Sequence, residues 1–135
     1  MRFSAEKIFI NTGAKPVIPP IEGLHRVPSL DSTSIMELDA LPEHLLIVGG
    51  GYIAVEFGQM FRRYGSQVTI IELGKQLLAR EDSDVAEEVH EILREDGIDV
   101  RLKTKASRVE ANAQGEIQLT VDSTAAKPRS RGLIC

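Results

Sequence analysis

The stretch over residues 45–72, LLIVGGGYIAVEFGQMFRRYGSQVTIIE, limits the fold of this chain more than any other part of its sequence. The run Leu-Leu-Ile-Val followed by glycines predicts a buried strand that enters a tight turn. The apolar residues after the glycines recur at the spacing of one helical face: Ile53, Phe57, Met60, Phe61 and Tyr64. Gly65 predicts a left-handed end to this helix, and the β-branched run 67–71 predicts a second strand. The stretch therefore predicts a β-α-β unit.

The glycines of this unit match a binding pattern. Residues 49–54, Gly-Gly-Gly-Tyr-Ile-Ala, fit G-x-G-x-x-A, a form of the dinucleotide fingerprint. Gly49 permits the turn, Gly51 lets a pyrophosphate approach the backbone, and the unpaired N–H groups at the helix start face the phosphates. Glu72 lies near the roughly 20-residue spacing of a carboxylate that binds ribose hydroxyls. The alternative is a purely structural glycine turn, but all the required elements occur in order. We predict a dinucleotide site at Gly49, Gly50, Gly51, Tyr52, Ile53, Ala54 and Glu72.

Composition excludes several classes of function. With 135 residues, of which 42% are hydrophobic and 27% charged, the chain fits one small globular domain. A net charge of −4 gives no reason to expect nucleic acid or a membrane surface as a partner. The sequence has no apolar run of roughly 20 residues and no signal-peptide core, so we expect a cytoplasmic protein. The single cysteine, Cys135, excludes a disulfide or redox dithiol within the chain, and we predict no metal site.

The segment before the fingerprint, residues 1–44, is predicted to be an entry strand and a linker. Residues 7–11, KIFIN, read as a short apolar strand. Residues 15–23, KPVIPPIEG, hold three prolines and are expected to be extended, because proline cannot join the middle of a sheet. Ser32-Thr33-Ser34 favours one helical turn over the residues that follow.

After Glu72 the pattern predicts a second helix over residues 85–96, closed by Gly97, and a third strand over residues 98–102. The residues expected to face the sheet are Val85, Val89, Ile92 and Leu93. Two alternating segments, 107–111 and 116–121, predict a β-hairpin. The predicted fold is therefore α/β, a Rossmann-like β-α-β-α-β parallel sheet over residues 45–121 with a following antiparallel hairpin. The polar residues 122–135 are expected to form an unstructured tail.

A resemblance to a known family is carried by three segments: IFINTGAKPVIPPIEG, LPEHLLIVGGGYIAVEFGQMFRRYGSQVTIIE and REDSDVAEEVHEILREDGIDV. From about residue 7 to 121 the chain resembles the NAD(P)H-binding domain of the class I pyridine nucleotide-disulfide oxidoreductases. These flavoproteins include dihydrolipoamide dehydrogenase, glutathione reductase and mercuric reductase. The resemblance implies an oxidoreductase in which NADH transfers a hydride to bound FAD, and the electrons pass to a disulfide or another acceptor.

The resemblance also implies roles for individual residues. Thr12 and Gly13 are similar to the family's A-T-G turn, where the chain leaves the FAD domain. Tyr52 resembles a gate residue whose ring lies against the flavin until nicotinamide displaces it, and Glu56 a carboxylate that orients the nicotinamide amide. Ala106 matches a position beside the adenine. Packing or surface exposure is the alternative for Tyr52 and Glu56.

Two features of the sequence favour different cofactors, one NADPH and the other NADH. Alanine at position 54 occurs in family members that use NADPH. Glu72, however, places a negative charge where a 2′-phosphate would lie, and like charges repel. The positions at which NADP-specific members carry phosphate-binding arginines are Leu73 and Ala79 here, although Lys75 and Arg80 lie close by. We predict NAD(H), with NADP as the alternative.

Complete enzymes of this family also contain an FAD-binding domain with a C-x4-C pair and a dimerisation domain with a catalytic His–Glu pair. These features do not occur in this sequence, and the family's final strand is also missing after about Asp122. We therefore expect a truncated or excised part of such an enzyme that does not turn over alone, with no catalytic residue of its own. The open sheet edge is expected to permit self-association. A stand-alone NAD(H)-binding module and a non-functional fragment are the alternatives.

Overall fold

The computed structural model describes residues 2–13, 15–123, 129–131 and 133–135. Two short 3₁₀ helices, Leu24–Arg26 and Ser34–Glu37, precede the regular elements, and the second confirms the helical turn predicted there. In chain order the other elements are β1 (His44–Val48), α1 (Tyr52–Tyr64), β2 (Gln67–Ile71), α2 (Ser83–Glu95), β3 (Asp99–Arg101), β4 (Thr104–Ala111), β5 (Ile117–Ser123), β6 (Arg129–Arg131) and β7 (Leu133–Ile134).

Two sheets organise the described residues. The first has the strand order β3-β2-β1-β7, and each neighbouring pair is parallel. The second has the order β4-β5-β6 with antiparallel neighbours. Strands joined through α1 and α2 give the predicted Rossmann-like arrangement, and β4 with β5 forms the predicted hairpin. The α/β prediction is thus confirmed.

The helix α1 packs on the sheet through small residues. Its buried residues are Ala54, Gly58 and Phe61, which contact the core that includes the fully buried Leu45 and Ile70. Ile53 and Tyr64 were expected on this face, but they are 53% and 65% exposed. The expectation was wrong for these two because the helix approaches the sheet along its small residues, which turns both larger side chains outward. Gly65 ends the helix in the left-handed conformation, as predicted.

The helix α2 shows a similar shift of its buried face. Ala86 and Leu93 are buried, and Val89 packs against the same core. Val85 and Ile92 are exposed, so the prediction that they face the sheet was wrong. The prediction gave large apolar residues more weight than alanine, although Ala86 is one of the two buried residues of this helix.

The expected strand over residues 7–11 is not formed. This segment makes no ladder, and Ile8, Phe9 and Ile10 are exposed. A strand needs the hydrogen bonds of a neighbour, and no described strand of this chain pairs with residues 7–11. The residues of this segment favour a strand, but no neighbouring strand supplies the hydrogen bonds that a strand needs.

The expectation of an unstructured tail over residues 122–135 is also corrected. The strand β6 pairs with β5, and β7 pairs with β1, with Leu45 in register with Leu133 and Leu46 in register with Ile134. The N–H of Cys135 also donates to the Leu46 carbonyl oxygen at 2.7 Å. The edge of β1 that was expected to be open therefore has a strand beside it, because its unpaired backbone groups attract even two apolar residues. Residues 124–128 and 132 lie outside the described residues.

Candidate functional site

The glycine turn joins the carboxyl end of β1 to the first residue of α1. Gly49 has a φ of 108°, which favours glycine, and its N–H donates to the Ile71 carbonyl oxygen at 2.9 Å. Gly51 is the N-cap residue of α1, and a Cβ atom on Gly51 would have no atom within 4 Å. The first N–H groups of a helix have no intrahelical partners. They begin here beside open space, so the turn leaves room for a phosphate group.

Both backbone polar groups of Gly50 are hydrogen-bonded. Its N–H donates to Oε2 of Glu72 at 2.6 Å, and its carbonyl oxygen accepts from the N–H of Leu78 at 2.8 Å. A Cβ atom on Gly50 would lie 2.7 Å from Cδ2 of Leu77 and 2.9 Å from Oε2 of Glu72. The other carboxylate oxygen of Glu72 accepts a hydrogen bond from the N–H of Gly74. Glu72 therefore links the glycine turn to the loop that follows β2.

Two pockets border this turn. One has a volume of about 270 Å³ and is lined by Gly50, Gly51, Tyr52, Glu72, Leu78, Ala79 and Arg80. The other has a volume of about 670 Å³, is mainly apolar, and is lined in part by residues 15–19, Gly49, Gly51, Ile53, Ala54, Ile134 and Cys135. Glu72 and Arg80 place one negative and one positive group in the smaller pocket. Both pockets share Gly51, so a long ligand that crosses the turn would contact both.

Tyr52 stands at the edge of the smaller pocket. Its ring is 54% exposed, and its hydroxyl donates a hydrogen bond to Oε1 of Glu81. This hydrogen bond is the largest of the causes that raise the pKa of Tyr52 above its usual value of 10.0. The bond connects the start of α1 to the loop after β2.

The remaining predicted site residues lie outside these two pockets. Glu56 is exposed on α1, and Leu73 is exposed after β2. Ala106 is half-buried in β4, where it packs against a second core cluster, which includes Val109, Ile117, Leu119, Val121 and Ile134. Thr12 and Gly13 are exposed in the N-terminal segment, and Ala14 of the same turn lies outside the described residues. The fold brings together the fingerprint and Glu72, whereas these five residues line neither of the two pockets.

Sequence reasoning missed several residues around the turn. The N–H of Leu78 donates to the carbonyl oxygen of Gly50. Leu78 has a φ of 47°, and no sequence motif predicts this conformation. Glu81, the partner of Tyr52, lies in a loop with no fingerprint of its own. Cys135 lines the larger pocket, where burial and the nearby negative charge of Asp31 raise the pKa of its thiol. Only the closing of β7 against β1 brings Cys135 there.

The described part of the chain lacks a membrane-spanning helix and a cluster of metal ligands. Its helices are too short or too polar to pass through a bilayer. No group of three or more histidine, cysteine, aspartate or glutamate side chains in the described ranges is arranged to hold a metal ion.

The family described as "Pyridine nucleotide-disulphide oxidoreductase" matches this sequence over residues 1–130. The chain belongs to that family. It is 45% identical over 120 residues to the probable pyridine nucleotide-disulfide oxidoreductase RclA of Escherichia coli (strain K12), covering 88% of this chain and 27% of the relative. It is 42% identical over 111 residues to a mercuric reductase of Streptomyces lividans, covering 82% of this chain and 23% of that enzyme.

The fold agrees with this pyridine nucleotide-disulphide oxidoreductase assignment. A solved structure described as the HOCl-induced flavoprotein disulfide reductase RclA from Escherichia coli matches with a TM-score of 0.78 and 44% identity. The match covers 96% of this chain and 30% of that chain. The chain therefore spans about a quarter to a third of the length of the oxidoreductases that it matches.

Proposed function

We propose that this chain binds NADH as the dinucleotide-binding part of a flavin (FAD)-dependent oxidoreductase. The observation that carries the proposal is the glycine turn between β1 and α1, whose open side at Gly51 has no atom within 4 Å of a Cβ position. In dinucleotide-binding folds, a glycine turn at the positive end of a helix binds the pyrophosphate. A carboxylate after the next strand binds the ribose hydroxyls of the same nucleotide. Membership of an oxidoreductase family supports the same proposal.

The described residues fit the parts of a dinucleotide. Gly51 and the first N–H groups of α1 would hold the pyrophosphate through backbone hydrogen bonds and the helix dipole. Glu72, in the smaller pocket, would accept hydrogen bonds from the adenosine ribose. The apolar pocket along Ile53 and Ala54 would take the nicotinamide half. Tyr52 borders the smaller pocket, and Glu56 lies one turn further along α1, outside both pockets. When bound, NADH supplies a hydride and FAD accepts it.

The proposed preference for NADH over NADPH follows from the charges that surround the expected 2′-phosphate position. Glu72 borders the smaller pocket and brings a negative group to the site where a 2′-phosphate would lie. Arg80 also borders this pocket, but Leu73 and Ala79 offer no positive charge. One exposed arginine does not replace the paired cations that hold a phosphate by bidentate bonds.

The greater length of the relatives supports the proposal that this chain performs only part of the reaction. Because the chain covers 27% of RclA, we propose that FAD binding, dimerisation and the reaction with the final acceptor belong to residues outside this sequence. The purified chain is expected to bind NADH and to show no turnover by itself. Ala106, Thr12 and Gly13 would contact cofactors only in that larger assembly.

Titration calorimetry of the purified chain with NADH and then with NADPH tests this proposal. We expect saturable binding of NADH, with an affinity for NADPH at least roughly tenfold lower, which corresponds to about 1.4 kcal/mol. Inorganic sulfate at the same ionic strength serves as the control for unspecific charge effects. No saturation by either nucleotide would refute dinucleotide binding, whereas equal affinities would refute only the preference for NADH.

A further inference from the structure

The carboxylate of Glu72 is already engaged on both of its oxygens within the chain. Oε2 accepts from the N–H of Gly50 at 2.6 Å, and Oε1 accepts from the N–H of Gly74. Each carboxylate oxygen has two acceptor directions, so these bonds leave room for ribose hydroxyls as well. A residue that served only to bind ribose would not need its oxygens aimed at two backbone groups.

The surroundings of Gly50 show why the first of these bonds matters. Gly50 is buried, and a Cβ on it would lie within 3.0 Å of Leu77 and of Glu72. A buried N–H without a partner costs about 1–3 kcal/mol. The carbonyl oxygen of Gly50 is bound to Leu78 of the same loop. Without the carboxylate, the peptide unit would have to rotate to find another acceptor.

The second bond fixes the loop that completes the pocket. A Cβ on Gly74 would lie 2.8 Å from Oε1 of Glu72, so the loop closes tightly around the carboxylate. The carbonyl oxygen of Gly74 accepts from the N–H of Lys103, and the carbonyl oxygen of Glu72 accepts from that of Thr104. The loop from Glu72 onward is therefore held by the start of β4 at one side and by Gly50 at the other.

We propose that Glu72 is a positioning residue, which holds the glycine turn and the following loop in the binding conformation by bridging the N–H groups of Gly50 and Gly74. The consequence is that Glu72 strengthens the binding of a nucleotide even when that nucleotide has no ribose hydroxyls. Because the N–H of Gly50 is occupied, the phosphates are left to Gly51 and the first residues of α1. This inference rests on the proposed function only for its choice of ligand.

The test compares ADP with 2′,3′-dideoxy-ADP on the wild-type chain and on Glu72→Ala and Glu72→Gln. If Glu72 positions the turn, Glu72→Ala weakens binding of the dideoxy nucleotide by roughly tenfold or more, as expected for the loss of a charge-assisted hydrogen bond. Glu72→Gln, which keeps one acceptor oxygen, should give a smaller loss. Unchanged affinity for the dideoxy nucleotide in Glu72→Ala would overturn the inference.

Two control variants separate positioning from general effects. Glu88→Ala removes the same charge from an exposed site on α2. Ile117→Val trims a buried side chain in the second core cluster and lowers stability without touching the turn. Both controls should retain wild-type affinity for both nucleotides. A loss with Ile117→Val equal to that with Glu72→Ala would assign the effect to stability and overturn the inference.

Amide hydrogen exchange by NMR supplies a readout that needs no ligand. In Glu72→Ala, but not in Glu88→Ala or Ile117→Val, exchange at Gly50 and Gly74 should accelerate at least roughly tenfold relative to the other amides of β1 and β2. Unchanged protection of both glycines would overturn the positioning role even if neither nucleotide binds the wild-type chain. Absence of binding alone would count against the proposed function, and the exchange result would still decide this inference.

Discussion

Gly58 of α1 lies directly against Ile70 of β2: a Cβ atom on Gly58 would be 3.1 Å from Cδ1 of Ile70 and 3.5 Å from Cδ1 of Ile47. Ile70 is fully buried, and Ile47 belongs to the same core. The contact joins the middle of α1 to the sheet formed by β1 and β2. The glycine turn at the start of α1 and Glu72 after β2 are linked separately, by the hydrogen bond from the N–H of Gly50.

Gly58→Val tests this contact. The added branches have no free volume to enter, so the free energy of unfolding should fall by about 1–3 kcal/mol, measured by urea denaturation. Glu56→Val puts the same side chain at an exposed position of α1 and should cost less, since only helix propensity changes. Equal losses in the two variants would mean that the helix does not approach the sheet at Gly58.

Gly51→Ala should weaken nucleotide binding while leaving the stability of the fold nearly unchanged. A Cβ on Gly51 meets no atom within 4 Å, so the unfolding free energy should change by less than about 1 kcal/mol, the scale of an N-cap effect. The methyl group would occupy the space proposed for the pyrophosphate, and the affinity for NADH should fall by roughly tenfold or more. The chain has no tryptophan, so nucleotide fluorescence reports binding without that background. Wild-type affinity in a folded Gly51→Ala would contradict the placement of the phosphates.

Gly50→Ala is the matched comparison for Gly51→Ala. Its methyl group would lie 2.7 Å from Leu77 and 2.9 Å from Glu72, so this variant should lose stability as well as binding. Thermal denaturation followed by circular dichroism measures the difference between the two variants. Equal stability of the two glycine variants would contradict the tight packing described around Gly50.

The β-α-β unit and the turn at Gly49 were predictable from the sequence because local signals agree there. A buried apolar run, a glycine with positive φ and a helix that ends at Gly65 each favour the same β-α-β unit. The burial of α1 was less predictable. Hydrophobic periodicity gives large residues the most weight, whereas close helix packing in this unit selects Ala54 and Gly58.

The residues that complete the pockets were not predictable, since they depend on contacts between distant segments. Glu81 reaches Tyr52 only after the loop folds back over α1, and Cys135 reaches the larger pocket only as β7 pairs with β1. Two apolar residues are too few to show a strand period. In contrast, residues 7–11 look like a strand and remain unpaired, because sequence pattern reports propensity and not the presence of a neighbour.

The hydrogen bond from Tyr52 to Glu81 predicts an alkaline titration. The bond raises the pKa of Tyr52, so its contribution is present below about pH 10 and is lost as the pH rises through the raised pKa. Glu81→Ala should therefore lower this pKa toward 10.0. The chain has two tyrosines, so a Tyr64→Phe background lets ultraviolet absorbance follow Tyr52 alone. Glu87→Ala, an exposed carboxylate on α2, is the control, and an identical midpoint in both variants would contradict the contact.

Ile134→Ala tests whether β7 belongs to the core. Ile134 is 2% exposed and lies opposite Leu46 in the β1–β7 ladder, so truncation should lower the free energy of unfolding by about 2–5 kcal/mol. Ile18→Ala removes the same atoms from a side chain that is 80% exposed and should change stability by no more than about 0.5 kcal/mol. Urea denaturation of both variants gives the comparison. If Ile134→Ala were as mild as Ile18→Ala, the end of the chain would not pack beside β1, and the wall that it forms for the larger pocket would have to be assigned to other residues.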